Sequence, residues 1–370
     1  MQFNQVIGQM AAKSYLKRTV ATERIPHALL LLGRPGSGGL PLALAFAQYV
    51  LCENRTEDDA CERCRSCTKT SRLVHPDLHF SFPTVGTNVT SDHYLDNWRK
   101  ALAQNPYLDV NQWLQLIGAE NKQGNINKEE CYRIIRKLNL KIFEGSHKIM
   151  IIWRPEFLGK EGNRLLKLIE EPPEKTLLVL VAENQELILN TILSRCQLVK
   201  VPPLTNREVE EGLTQKKNLP LEKARPIAYL ADGNFNQALK MAEQPQSDNA
   251  TLFFDWMRKC YIGNGVELVK WVEEFAKQGR ENQKHFIHYG LHFMREYMTL
   301  KMTGAENGPD IRLLPKERTV AQNLMKIIGF DQIGHIVQLF DECAFAIERN
   351  AHQKTLFLDA SIKLNKILRN

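Results

Sequence analysis

LLLLGRPGSGGL, residues 29–40, is an apolar strand running into a glycine-rich turn. Gly33, Gly36, Gly38 and Gly39 punctuate the turn, and a helical run, LPLALAFAQYVL, begins around Pro41. Strand, glycine turn and helix in this order are the layout of a phosphate-cradling P-loop. That motif places a Lys to reach the β/γ-phosphates and then a Ser or Thr to hold magnesium. Gly39 and Leu40 stand at those two positions. The scaffold of a nucleotide site is written into the chain, and its working side chains are not.

Outward from this stretch, three more apolar runs read as strands: Lys148 to Trp153, Leu177 to Ala182 and Leu198 to Val201. A shorter one sits within HPDLHFSFP at residues 75–83. Near-continuous apolar strands alternating with helical segments predict a parallel sheet covered on both faces. Met10, Tyr15, Leu16 and Val20 are the expected apolar side of an N-terminal helix, and Ile134, Ile135 and Leu138 that of a helix over 127–140. Residues 1–203 are therefore expected as one α/β domain. Trp98, Leu102, Leu108, Trp113 and Leu116 mark a helical insertion over 86–120. Beyond Thr205 the strand signal stops. Residues 204–244 read as a small helical domain, EQPQSDN at 243–249 has linker composition, and 250–370 show only helical periodicity.

Composition sets the frame. A chain of 370 residues is long for one domain. With 43% hydrophobic and 25% charged residues it is ordinary globular sequence. No apolar run approaches the roughly 20 residues a membrane helix needs, and Met1 leads straight into polar sequence, so a cytoplasmic protein with no membrane partner is expected. The net charge of +7 is compatible with nucleic-acid contact but common without it. Lys122 to Lys148 holds seven Lys or Arg against three Glu, which reads as a solvated helix face, with DNA-backbone contact the alternative.

Cys52, Cys61, Cys64 and Cys67 lie in a stretch otherwise full of charged residues. Four thiolates close a tetrahedral shell with no open position, so the spacing predicts a structural zinc site. An iron–sulfur reading is weaker because no fourth Cys follows Cys67 with a Pro after it; unligated buried cysteines are the remaining alternative. The core strand that should end on a magnesium-binding Asp ends on Trp153 and Arg154, with Glu156 out of phase behind Pro155. Trp153 is expected to pack on the neighbouring turn, His27 to be packed and hydrogen-bonded, and Cys196 to be a small core residue. Arg195, in the Ser194–Arg195–Cys196 stretch, either pairs with a nearby carboxylate or offers a bidentate cation to a phosphate on another subunit.

FNQVIGQ, IPHALLLLGRPGSGG, the CX8CX2CX2C cysteines, NRLLKLIEEPP, TILSRC and LADGNFNQAL together resemble the delta-prime subunits of bacterial DNA polymerase III clamp loaders, within the AAA+ ATPases. The resemblance covers residues 1 to about 240 in family order. It implies a parallel five-stranded AAA+ domain with a zinc module at 52–67, a helical lid and an all-α C-terminal oligomerisation collar. It also implies a ring with gamma/tau-like and delta-like partners that places a sliding clamp on primed DNA in replication. Active members keep the P-loop Lys and Thr, an acidic pair and a lid Arg; this chain has Gly39, Leu40, Trp153, Arg154 and Asn236 there. Those departures imply a degenerate P-loop that binds no ATP and a subunit that is not itself an enzyme. Arg195 matches the family's arginine finger, which acts on ATP held by a neighbour. The competing readings are a gamma/tau-like ATPase with an atypical site and a zinc-containing DNA-binding module.

Overall fold

A computed structural model describes residues 1–120, 122–243, 249–304, 313, 315–349 and 351–369. Residues 244–248, most of the expected linker, lie outside them. The chain divides into two compact units: Met1–Gly212 with Ala231–Leu239, and Leu213–Leu230 with Lys240–Asn370. The 204–244 stretch is thus shared between the units.

The first unit is built on five parallel strands: β1 (Ala28–Gly33), β2 (Leu78–Ser81), β3 (Lys148–Trp153), β4 (Thr176–Ala182) and β5 (Gln197–Val201), in the order β2-β3-β4-β1-β5. β3 and β4 are buried along their whole length, as strands covered on both faces must be. Alternate residues feed two cores. Leu29, Leu31, Ile149, Ile151, Leu177 and Val179 face one layer; Leu30, Met150, Ile152, Leu178 and Leu180 face the other. The helices of this unit include α1 (Met10–Ala21), α2 (Gly39–Leu51), α3 (Arg65–Ser71), α4 (Leu95–Gln104), α5 (Val110–Leu116) and α6 (Lys128–Asn139). α7 (Leu166–Glu170) and α8 (Asn190–Leu193) follow.

Local chemistry fixes these elements. Asn127 caps α6 by accepting from the Glu130 amide at 2.9 Å, acids fill its first turn and Arg136 and Lys137 its last, matching the helix dipole. α2 is buried from Leu40 to Leu51, so it runs as a central helix rather than a surface one.

Several expectations are corrected. Met10 is 69% exposed at the first position of α1, while Leu16 and Val20 carry its apolar face. The side chain of His27 is exposed; only its carbonyl is used, accepting from the Leu178 amide. Leu116 is also exposed. The 122–148 cations are not simply a solvated face: Arg133 is buried against Glu130 and Asp92, and Lys148 is buried with its ammonium on the Leu140 carbonyl. Residues 86–120 are helical as expected, and they pack into the core. Trp98 and Trp113 are fully buried, Trp98 stacks on Phe82 at 4.4 Å and meets Trp153 at 5.1 Å. The Thr84–Asn125 bridge closes the base of the excursion.

The second unit is all helical in its described residues, with α10 (Leu221–Leu230), α12 (Asn249–Ile262), α13 (Gly265–Phe275), α14 (Arg280–Thr303), α15 (Pro315–Leu324), α16 (Phe330–Glu348) and α17 (Gln353–Arg369). Phe253, Trp256, Phe286, Phe293, Phe340 and Phe357 form its buried aromatic centre. Between the two stretches of this unit, α9 (Asn206–Lys217) and α11 (Phe235–Glu243) straddle the division. No helix among the described residues is long and apolar enough to cross a membrane.

Candidate functional site

The glycine turn lies at the carboxyl end of β1, where open α/β sheets keep their binding crevices. Gly36 and Gly38 have φ of +71° and +100°, a region other residues enter only with strain. A Cβ at Gly36 would collide with the Asn234 amide, and one at Gly38 would sit 3.3 Å from the Tyr107 ring. The turn is tied in from two sides, by Gln9 and by Phe235. Gln9 donates to the Ser37 carbonyl at 2.9 Å and the Pro202 carbonyl at 2.7 Å, and Phe235 N–H donates to the Gly36 carbonyl at 3.1 Å.

The space beside the turn is small. A cavity of about 30 Å³ remains, bounded by Gly36, Gly39, Tyr107, Leu108, Trp153 and Glu183. The crevice is open to solvent on one side, and the space within it for water-sized molecules is small. Leu40 is 4% exposed, an apolar side chain where a magnesium ligand would be needed. Trp153 is also buried, against Trp98 and not only on the turn.

The acidic groups near this cavity are already engaged. Arg154, in the left-handed region at φ +62°, ion-pairs with Glu183 and lies 3.6 Å from Glu156. Glu156 accepts the amides of Glu183 and Asn184 at 2.6 and 2.9 Å. Burial pushes Glu156 above the ordinary carboxylate range, and Arg154 and the Asn184 amide only partly oppose it. Two carboxylates spent on a guanidinium and on backbone amides are not a metal pair.

Asn236 occupies the place where the resemblance implies an arginine. It is 2% exposed, and its amide is fully used. Its Oδ1 accepts from Asn105 at 2.7 Å, and its Nδ2 donates to Asp109 at 2.9 Å and Gln112 at 2.8 Å. Asn105, Tyr107, Asp109 and Gln112 were not legible as site residues. The only signal they carry is the Asp109–Gln112 capping box that starts α5.

Arg195 follows α8 and does not line the cavity. Its guanidinium pairs with Glu170 and also donates to the Thr191 carbonyl at 2.9 Å. Of its two sequence readings, the local pair is the one this structure contains. Both side chains are more than a third exposed, and exposed pairs contribute only about 0–1 kcal/mol, so the cation is cheaply released. Cys196 is half-buried against the second core layer, its thiol pushed up to about 11 by burial.

The four clustered cysteines do come together. Their sulfurs lie within 4.8 Å of one another, the one such metal-competent group among the described residues. A tetrahedral zinc–thiolate shell requires sulfurs about 3.8 Å apart, given Zn–S near 2.3 Å, and Cys61 and Cys67 are already at 4.0 Å. Backbone amides point at the sulfurs: Cys61 N–H to Cys52, Cys64 N–H to Cys61 and Cys67 N–H to Cys64, at 3.3–3.4 Å. Burial raises the Cys61 thiol, but the amides of Cys64 and Arg63 and its sulfur neighbours outweigh it and bring it down to about 6. Burial raises Cys52 and Cys67. Packed thiols with amides aimed at them fit a metal held as thiolates. The cluster is anchored to the chain start, since Gln2 donates to the Ala60 carbonyl at 2.5 Å and Asp59 accepts from the Phe3 amide at 3.1 Å.

The sheet order, the glycine turn at β1 and the crevice above it define an α/β domain of the AAA+ type. Residues 8–205 match the family described as DNA polymerase III, delta subunit, over more than half of the chain. The chain belongs to this family of clamp-loader subunits. It is 26% identical over 234 residues to a DNA polymerase III subunit delta' of Bacillus subtilis, covering 62% of this chain and 58% of that one. A subunit delta' of Yersinia pestis is 27% identical over 245 residues, covering 65% and 56%. A subunit tau of Bacillus subtilis is 23% identical over 323 residues, covering 81% and 50%. The chain thus spans half to three-fifths of the length of these relatives.

Proposed function

We propose that this chain is a delta-prime-like subunit of a DNA polymerase III clamp loader that turns over no ATP of its own. The reading is carried by one observation: at the crevice beside the glycine turn the buried, apolar Leu40 and Trp153 stand at the positions that should hold magnesium. Without a lysine or a metal, charge developing on a γ-phosphoryl group would go unneutralised. The chain works in the cytoplasm beside gamma/tau-like and delta-like subunits and meets primed DNA and the sliding clamp through that complex. The helices over 204–244 act as its lid, and the second unit's helices as its oligomerisation collar. Zinc is the metal of the four-cysteine site, in a structural role.

Arg195 leaves Glu170 and reaches a phosphate bound by the adjacent subunit, where a planar guanidinium matches phosphate geometry. The experiment is reconstitution with gamma/tau-like and delta-like chains of the same organism. Arg195→Ala should lower the ATPase rate at the adjoining site by at least about tenfold, and Arg195→Lys should not restore it. An unchanged rate rejects the role. The longer alignment with a tau subunit favours a gamma/tau-like ATPase, but such an enzyme would need the lysine that Gly39 replaces.

A further inference from the structure

Residues 105–112, NPYLDVNQ, leave α4 and open α5, and Pro106, Tyr107 and Leu108 line the crevice beside the glycine turn. Tyr107 is 3% exposed and sits at the junction of three elements. Its ring lies next to Gly38 and meets Phe235 edge-on at 4.8 Å, and its hydroxyl accepts the Ile7 amide at 2.9 Å. On its flanks, Asn105, Asp109 and Gln112 together satisfy every hydrogen-bonding group of the buried Asn236 amide. Asp109 and Gln112 do this while also capping α5, so the cap and the bridge stabilise each other.

We propose that residues 105–112 are a resident occupant of the phosphate crevice, joining the glycine turn to the 231–239 segment as a bound nucleotide would, through Tyr107 and the Asn236 amide. This rests on the nucleotide-free reading above and extends it. The crevice is not an empty relic; its occupant is covalently part of the chain and never dissociates. The 231–239 segment is therefore held against the turn at all times, with Phe235 N–H donating to the Gly36 carbonyl as the direct link. Tyr107 and Asn236 are positioning residues in this arrangement.

The test is hydrogen exchange on the full-length protein. A buried amide exchanges through local opening, so protection reports how firmly a segment is held. Tyr107→Ala should speed exchange of the Ser37 and Phe235 amides, which donate to the Arg34 and Gly36 carbonyls, together by at least about tenfold, with smaller increases in Asn236→Ala and Asn105→Ala, and no change in β3 and β4. Tyr107→Phe keeps the ring and should loosen the Ile7 amide while the Phe235 amide stays protected. If Tyr107→Ala loosens β3 and β4 as well, Asn105→Ala carries the test, because it removes only the bond to Asn236 and the cap on the Tyr107 amide and leaves the Tyr107 ring in place. Unchanged protection of Phe235 and the turn in both Asn105→Ala and Asn236→Ala overturns the proposal. Magnesium-dependent ATP binding by the wild-type chain would instead overturn the nucleotide-free reading on which it rests.

Discussion

Asp77 shows how single side chains hold the sheet edge. At 2% exposure, just before β2, its carboxylate accepts the amides of Phe143, Glu144 and Gly145 at 2.7–2.9 Å and so fixes the loop leading into β3. Burial works to raise this carboxyl, but the Glu144, Phe143 and Gly145 amides prevail and hold it below the usual carboxylate range. Its folded value is thus below the roughly 3.9 of an unfolded Asp. For such a group the stabilisation is complete above the unfolded value and is lost as pH falls through the folded one. Asp77→Asn places an NH₂ among three donors and should cost about 1–3 kcal/mol at neutral pH. The gap between wild type and variant, measured by denaturant unfolding, should be flat from about pH 5 to 7 and narrow below about pH 4. A gap that persists unchanged to pH 3 would show that the charge is not what matters. The two positions most legible from sequence, Gly39 and Leu40, are of another kind: a motif with fixed spacing announces its own losses. Asn236 could be read as a departure, but its partner Asn105 lies 131 residues away, and no local pattern encodes that contact.

At the level of elements, the strands were readable because parallel strands buried on both faces must be apolar without interruption, and β3 and β4 are. Residues 86–120 read as a helical insertion from Trp98, Leu102, Leu108, Trp113 and Leu116 set among polar residues, but not as to where it packs, and Trp98 and Trp113 place it in the core beside Phe82 and Trp153. Amphipathic spacing alone does not tell which surface a helix covers. The cysteine module was legible for the opposite reason, since its ligand spacing is local and all four sulfurs converge from one short stretch. With zinc bound, its release should be costly, because ligand binding and local folding are one equilibrium. The purified chain is expected to carry about one zinc ion, and Cys64→Ser to lose it. With the metal gone, the Phe3 amide, held by Asp59 beside the cluster, should exchange faster while β3 stays protected. A well-folded wild-type chain that is free of metal would remove zinc from the account.

At the scale of the whole molecule, the losses at the crevice act together. On the proposed reading, Leu40, Trp153 and the Arg154 pairs stand where the chemistry would need a metal, and Tyr107 with its neighbours lines the space. Restoring one feature should therefore restore nothing. A ligand that binds only the folded chain raises its stability by RT ln(1 + [L]/Kd), about 4.1 kcal/mol at a thousandfold excess over Kd. ATP with magnesium at millimolar concentration should give the isolated chain no such gain, seen as an unshifted melting temperature. Gly39→Lys with Leu40→Thr should give none either, because residues 105–112 still line the crevice and Trp153 still stands where the acid is needed. Millimolar ATP would be that thousandfold excess for any site of micromolar affinity, so a working nucleotide site could not escape the measurement. A melting temperature that climbs with ATP in the wild-type chain would mean that the crevice takes a nucleotide despite Leu40 and Trp153, and the non-catalytic role would fall with it.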